Sequence, residues 1–196
     1  MSVNQQKDTS RNYIPIQELP ADQPLGILEP VMCFNEAMPT VVTVSQQGRI
    51  FVNFPKWGDN VPFTVAEIKN GKTVAYPDEV FNQTDPNDHG KALVSVQSVV
   101  VDPMDRLWIL DTGSPLFEPT KFGGPKMVCV NLAKDQVVKK IIFPQDVVFP
   151  TTYLNDVRFD LRLGSEGMAF IRLISKWTKW NNCSGLGIWC ELAAPS

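Results

Sequence analysis

The sequence predicts an all-β protein, and two observations support this prediction. Short segments rich in Val, Ile, Phe, Thr and Trp alternate with turns that contain Gly, Pro or Asn, whereas apolar stretches of helical period are scarce. Proline accounts for 16 of the 196 residues, which exceeds the roughly 5% usual in soluble proteins. With 43% hydrophobic residues, the composition is globular and the length suits one domain or part of a larger one.

Charge and hydropathy exclude several classes of protein. The chain has 18 Lys and Arg against 21 Asp and Glu, a net charge of −3, and no basic run, so we expect no nucleic-acid partner. No apolar run is long enough to cross a bilayer, so we expect no membrane partner. Residues 1–11 are polar and lack the apolar core of a secretory signal, which predicts a cytoplasmic chain as the sequence stands.

The cysteines do not predict a structural metal site. Four are present, at Cys33, Cys129, Cys183 and Cys190, without a Cys-x-x-Cys pair, and His89 is the one histidine. A zinc site is therefore not expected. We expect free thiols, with Cys33 and Cys129 inside apolar strands.

A four-strand pattern recurs along the chain. Each copy has a strand, a turn and a second strand, and a hairpin follows; the first hairpin contains Asn70-Gly71, a strong hairpin signal. Aligning Gly48, Asp105 and Glu166 gives spacings of 57 and 61 residues between copies. Four-stranded units repeated at such a period are typical of a β-propeller, and a β-sandwich is the alternative. We assign an extended lead-in to 1–30 and a partial propeller to 31–171, with blades at about 31–90, 91–150 and 151–171.

Four contiguous motifs carry a family resemblance. The segments GRIFVNFPKWGDNVPFTVAEIKNGK, LVSVQSVVVDPMDRLWILDTGSP, GGPKMVCVNL and FPTTYLNDVRFDLR resemble the yellow/major royal jelly protein family, in particular its microbial, dopachrome-tautomerase-related branch. The resemblance covers about residues 25–171. It implies a six-bladed propeller of roughly twice this length that is usually secreted. It also implies one of three roles: dopachrome conversion, binding of small amines in the central channel, or storage.

The chain departs from that family pattern because it holds only about two and a half blades. Residues 172–196 contain three of the five Trp and two of the four Cys and lack the repeat. A one-nucleotide shift of a back-translation of this segment yields an alternating strand, so we interpret 172–196 as an out-of-frame tail. The truncated chain is expected to be inactive and to associate with itself through open blade edges.

Ligand-binding candidates come from the strands expected to line the channel, since inner strands converge on the axis of a propeller. These strands are predicted at 38–44, 94–100 and 154–159, and a small molecule is the expected partner. Their polar residues are Thr40, Gln97, Ser98, Asn155 and Asp156.

Asn155 and Asp156 leave two interpretations open. They resemble the Asn-Asp step of gluconolactonase-like hydrolases, in which oxygen ligands hold calcium. Alternatively, they form an Asx turn with the local backbone. The acid that such hydrolases place on the first inner strand has no clear equivalent, because the nearest one, Glu36, is not expected to face the channel. We therefore expect no cofactor, with calcium as the alternative.

Other chemistry-bearing residues are expected to be structural. Asp111 in an Asp-Thr-Gly triplet is expected to cap a turn, since an aspartic protease needs two such carboxylates. His89 is expected to be solvated in a polar loop, and Asn82 begins a glycosylation sequon. Aromatic side chains expected in the core or at the channel rim are Phe54, Trp57, Phe63 and Trp108. The function hypotheses are thus a dopachrome-converting enzyme, a non-catalytic propeller that binds aromatic amines, and a metal-dependent hydrolase.

Overall fold

The computed structural model describes residues 29–175 and 187–192. Two units are present, residues 1–31 and 32–196; the described part of the first, 29–31, has no regular secondary structure. Within the described ranges the second unit is built from strands, with one 3-10 turn at Pro115–Phe117, which confirms the all-β prediction. No helix in this part of the chain is long and apolar enough to span a membrane.

The strands form three antiparallel sheets. The first has β1 (Val41–Val44), β2 (Ile50–Asn53), β3 (Val65–Lys69) and β4 (Lys72–Ala75), in that order. The second has β5 (Val96–Val101), β6 (Arg106–Asp111), β7 (Lys126–Asn131) and β8 (Gln136–Ile142), in that order. The third has β9 (Thr152–Asp160), β10 (Met168–Ser175) and β11 (Gly187–Glu191), with β10 in the middle.

The second sheet is covered on both faces. Successive side chains of a strand point to opposite sides, so β6 sends Leu107 and Ile109 into an apolar cluster with the first sheet. The alternate residues Trp108 and Leu110 enter a cluster shared with the third sheet. The sheets thus stack face to face in chain order.

The first strand of each sheet lies at the same side of this stack. β5 contacts β1 on one side and β9 on the other. The Thr43 hydroxyl oxygen accepts a hydrogen bond from the Val101 backbone N–H at 3.0 Å, across the β1–β5 boundary. Stacked four-stranded meanders with adjacent first strands are the arrangement of a partial β-propeller, and the described sheets do not close into a ring.

The connections fall into two groups because each sheet is an antiparallel meander. Short turns at 45–49, 70–71, 102–105 and 132–135 lie at one edge of the sheets. At the opposite edge, hereafter the long-loop edge, β1, β5 and β9 begin, and the connections at 54–64, 76–95, 112–125 and 143–151 meet. The predicted Asn70-Gly71 hairpin is confirmed, and both residues have the positive φ that its turn requires.

Two sequence predictions concern residues whose position is now clear. Cys129 lies buried in β7, as predicted. The prediction for Cys33 was wrong, because this residue is exposed in a segment without regular structure ahead of β1.

β10 extends to Ser175 and pairs with β11, so part of the segment interpreted as an out-of-frame tail adds to the third sheet. Residues 1–28 of the lead-in, and 176–186 and 193–196 of that tail, lie outside the described residues.

Candidate functional site

Four side chains meet at the long-loop edge, where β5 and β9 begin. We call Trp57, Gln97, Phe117 and Tyr153 the mouth cluster. The Tyr153 hydroxyl donates a hydrogen bond to Gln97 Oε1 at 2.8 Å and accepts one from the Trp57 indole N–H at 2.7 Å. This relay joins a long loop to β5 and β9, and it fixes the orientation of both rings.

The aromatic rings of the mouth cluster form a continuous surface. The Phe117 ring stacks on Trp57 with centroids 5.7 Å apart and an interplanar angle of 19°. It also contacts the Tyr153 ring at 5.1 Å and 35°. Tyr153 is 3% exposed, whereas Phe117 is 49% exposed, so Phe117 forms the outer layer of the cluster.

The backbone that presents Phe117 is strained. Leu116 and Phe117 have φ values of 52° and 58°, in the left-handed region that large side chains seldom adopt. The Leu116 N–H donates to the Lys56 carbonyl at 2.8 Å, and the Glu118 N–H donates to the Pro115 carbonyl at 2.9 Å. The first bond holds the turn against the loop that carries Trp57, and the second closes the turn itself.

Burial shifts the pKa of two groups at this edge. It raises the pKa of Tyr153 to about 12, so the phenol, which is already protonated at neutral pH, remains a donor well into the alkaline range. Burial also lowers the pKa of the Lys56 ammonium, an effect that the charge of Asp111 opposes. Lys56 Nζ donates to the Thr84 hydroxyl at 3.2 Å.

Two of the five predicted ligand-binding residues meet where the first two sheets touch. The Thr40 hydroxyl donates to the Gln97 carbonyl at 3.0 Å and accepts from Asn53 Nδ2 at 2.7 Å. Thr40 therefore links the sheets through its side chain, while the Gln97 side chain belongs to the mouth cluster. Gln97 sits at an irregularity in the β5–β6 register, which turns its amide toward Tyr153.

The remaining predicted residues lie farther along β5 and β9. The Ser98 hydroxyl donates to Asp156 Oδ1 at 3.4 Å, a long hydrogen bond. The same oxygen accepts from the Val157 N–H at 2.8 Å and from Arg158 at 2.7 Å. Asn155 falls at a register shift between β9 and β10. The bond from Val157 is local but reaches only the next residue, and Asn155 and Asp156 both lie inside β9, so they do not form the two-residue step of an Asx turn.

The calcium alternative gains no ligand set from the residues that the structure describes. They contain no group of three His, Cys, Asp or Glu side chains that could hold a metal ion. Asp156, the predicted weak ligand, already accepts the bonds from Val157 and Arg158.

Asp111 is a structural carboxylate. Its Oδ1 accepts from the Gly113 N–H at 2.9 Å, which confirms that Asp111 caps the turn. Its Oδ2 forms an ion pair with Lys126 Nζ at 2.8 Å, and both side chains are fully buried. Lys126 also donates to the carbonyls of Gly123 and Gly124, so the pair anchors the base of the 112–125 loop.

Two loop residues singled out in the sequence are partly or fully buried. His89 was expected to be solvated, but its Nδ1 is buried without a partner; burial lowers its pKa. Asn82, the first residue of the sequon, is 3% exposed. Its side chain donates to the Tyr76 and Asp78 carbonyls and accepts from the Thr64 N–H, so its amide is structural in the folded chain.

The predicted aromatic residues divide between the core and the mouth cluster. Trp108 and Phe54 are 1% and 5% exposed and belong to the core, as predicted, and Phe63 packs against the cluster around Phe54. Phe117 and Tyr153 were not identified as site residues. Their partners lie 36 to 96 residues away in sequence, so only the stacking of the sheets brings them together. The sequence offers one signal for each residue. Tyr153 is an aromatic residue near the start of a strand, and Phe117 is an aromatic residue in a loop that contains Pro and Gly.

Comparison with known proteins agrees with this architecture. The fold is that of a partial β-propeller with its candidate site at the end where the inner strands begin. Residues 94–172, which include Gln97, Phe117 and Tyr153, match the family model described as major royal jelly protein. The chain is therefore similar to members of the yellow/major royal jelly protein family.

Insect proteins are similar to part of the chain. L-dopachrome tautomerase yellow-f of Drosophila melanogaster is 32% identical over 112 residues, covering 52% of this chain and 26% of the relative. Protein yellow of Drosophila erecta is 26% identical over 122 residues, with coverages of 58% and 22%. The yellow-related salivary protein LJM17 of Lutzomyia longipalpis is 29% identical over 123 residues, with coverages of 56% and 30%. The chain thus spans about a quarter of the length of these relatives.

Proposed function

We propose that this yellow-like propeller binds a planar aromatic small molecule at the mouth cluster. The observation that supports this best is the Trp57–Tyr153–Gln97 relay, which holds two aromatic rings beside polar atoms in fixed orientations. Ligand sites commonly combine aromatic walls with a few placed polar groups. Aromatic rings also favour stacked or tilted partners at the centroid distances found here.

Binding is better supported than catalysis by the chemistry of these four residues. A tautomerisation removes a proton from carbon and returns one to oxygen, so it needs an acid-base group in reach. Tyr153, with a pKa of about 12, is a hydrogen-bond donor at neutral pH and a poor base. The remaining three side chains of the mouth cluster do not titrate near neutral pH.

Dopachrome conversion is the second candidate function. It is favoured by the similarity to a relative named L-dopachrome tautomerase. The chain spans about a quarter of that relative. A catalytic group could therefore lie in a region that corresponds to the rest of the relative's length. A gluconolactonase-like, calcium-dependent hydrolase is a weaker proposal, since Asp156 is occupied by Val157 and Arg158.

Two further properties are proposed on the strength of the family. Its members are usually secreted, and one relative is a salivary protein, so we propose that this protein acts outside the cell. We also propose that the 196-residue chain by itself does not turn over dopachrome, because its described sheets leave the propeller open.

The test is a titration of the purified chain with tryptamine and with dopamine by calorimetry, combined with the rate of L-dopachrome bleaching. Saturable binding near one site per chain without turnover is the expected result. Trp57→Leu should weaken binding severalfold, because it removes one ring and one hydrogen-bond donor. Phe122→Leu is the control, since Phe122 is 65% exposed. Faster bleaching would favour dopachrome conversion, and the absence of both binding and bleaching would contradict the proposal.

A further inference from the structure

We propose that Phe117 is a displaceable cover, and that a planar aromatic ligand replaces its ring on Trp57 and Tyr153. This inference rests on the proposed function and adds a mechanism for entry to the site. The Phe117 ring lies 5.7 Å from the Trp57 ring and 5.1 Å from the Tyr153 ring. It therefore occupies the position in which an aromatic ligand would stack on the pair.

Only a small buried surface holds the Phe117 side chain in its position. Phe117 is 49% exposed and its neighbour Leu116 is 57% exposed, while the Tyr153 ring beneath is almost fully buried. A side chain that leaves half of its surface in water loses little apolar contact when it swings away. A ligand ring placed on the same surface would recover the contacts with Trp57 and Tyr153.

Backbone strain also favours release. Leu116 and Phe117 both have positive φ, and large side chains adopt this region only when their surroundings impose it. The hydrogen bond from the Leu116 N–H to the Lys56 carbonyl is one such constraint. Swinging the turn outward would relieve strain at two successive residues, which offsets part of the lost stacking.

The loop is fastened at its base, so its tip can move without disturbing the sheet. A Cβ built on Gly113 would lie 2.3 Å from the backbone carbonyl carbon of Gly124. The backbones of the two ends of the loop are therefore in direct contact at this point. Lys126 holds Gly123 and Gly124 through their carbonyls. β6 and β7 therefore stay paired whatever position Phe117 takes.

The experiment measures tryptamine binding by calorimetry on the full chain and on Phe117→Ala. Truncation should strengthen binding about three- to tenfold, because the ligand no longer has to displace two aromatic contacts. Phe122→Ala, in the same loop but outside the ring stack, should bind as the unmodified chain does. Phe117→Leu, which keeps the bulk and loses the ring, should fall between the two and serves if the alanine variant does not fold.

The outcomes separate this inference from the proposed function. If the unmodified chain binds tryptamine and Phe117→Ala binds equally or more weakly, Phe117 is not a cover and the inference is overturned, while the proposed function stands. If neither the unmodified chain nor any Phe117 variant binds, both are overturned.

Discussion

The hydroxyl of Tyr153 joins side chains from three separate stretches of the chain. It accepts from Trp57, 96 residues away, and donates to Gln97, 56 residues away. Gln97 is 7% exposed, so its side-chain oxygen would lose this donor in a buried position if the Tyr153 hydroxyl were removed. Buried polar groups that lose their partner carry the full cost of desolvation.

Tyr153→Phe should therefore destabilise the fold while keeping the aromatic ring. We expect the free energy of unfolding to fall by about 1–3 kcal/mol and tryptamine binding to weaken, since Trp57 loses its fixed orientation. Urea denaturation followed by circular dichroism measures the first effect. Phe122→Leu, at an exposed position, should change stability little. A Tyr153→Phe chain as stable as the original would mean that the relay contributes nothing.

At the residue scale, the sequence predicted roles that depend on near neighbours and missed those that depend on distant ones. The cap from Asp111 to Gly113 spans two residues and was predicted from a short motif. The burial of Lys126 was not predicted, because a lysine is fully buried only when acceptors surround it. Its acceptors include the carbonyl of His89, 37 residues away, and no local pattern reports such a pairing.

Among the secondary-structure elements, an ion cluster ties the first sheet to the second at the short-turn edge. Arg49, at the start of β2, binds Glu67 of β3 at 2.8 Å. It also binds Asp135, in the β7–β8 turn, at 2.8 Å and donates to the Leu132 carbonyl. Burial raises the pKa of Glu67, but the hydrogen bonds from Arg49 and Lys69 outweigh it and hold this pKa below 4.5.

Glu67→Gln should change how stability depends on pH. A carboxylate whose folded pKa lies below its unfolded value stabilises the fold above the unfolded pKa, and this stability is lost as pH falls. The original chain should therefore lose stability as pH drops below about 4.5. The variant should be less stable near neutral pH and decline less steeply in acid.

Unfolding free energies measured across this acid range test that prediction. Glu166→Gln is a matched control, because Glu166 is 49% exposed in its ion pair with Lys139 and exposed pairs contribute little. Parallel pH curves for the original chain and Glu67→Gln would contradict the assignment of acid sensitivity to this cluster.

The elements that the sequence predicted best are hairpins with a local chemical signal. Asn70-Gly71 fixes the β3–β4 turn because both residues tolerate positive φ. The register irregularities at Gln97 and Asn155 were not predicted. Each is an extra residue in the pairing of two strands, and alternation along one strand does not report it.

For the molecule as a whole, the repeat of about 60 residues carried the prediction of a propeller. Each copy contains one complete meander, so the sheets follow from the repeat and their stacking follows from apolar residues on both faces of β6. The three described sheets do not form a closed ring, and the first and third sheets leave apolar side chains exposed. Val42 and Val44 on β1 are 63% and 55% exposed, and Phe170 on β10 is 43% exposed.

Self-association of the purified chain is the prediction at this scale. Exposed apolar residues on open sheets favour association, so we expect the sedimentation coefficient to rise with protein concentration. Val42→Lys combined with Val44→Lys should reduce this rise, because like charges on the edge strand repel. Val80→Lys is the control, at a loop position that is 76% exposed. A concentration-independent monomer would contradict the prediction.

The contacts between neighbouring short turns have a consequence for how recognition can diverge. The Gln46 backbone N–H donates to Asp105, and its side-chain amide donates to the Pro103 carbonyl, so successive sheets are fastened at the edge away from the mouth cluster. The connections at the long-loop edge are 9 to 20 residues long. Their sequences can change without removing the hydrogen bonds that Gln46 makes at the short-turn edge. Selection can therefore retune what the protein recognises while the scaffold beneath is inherited unchanged.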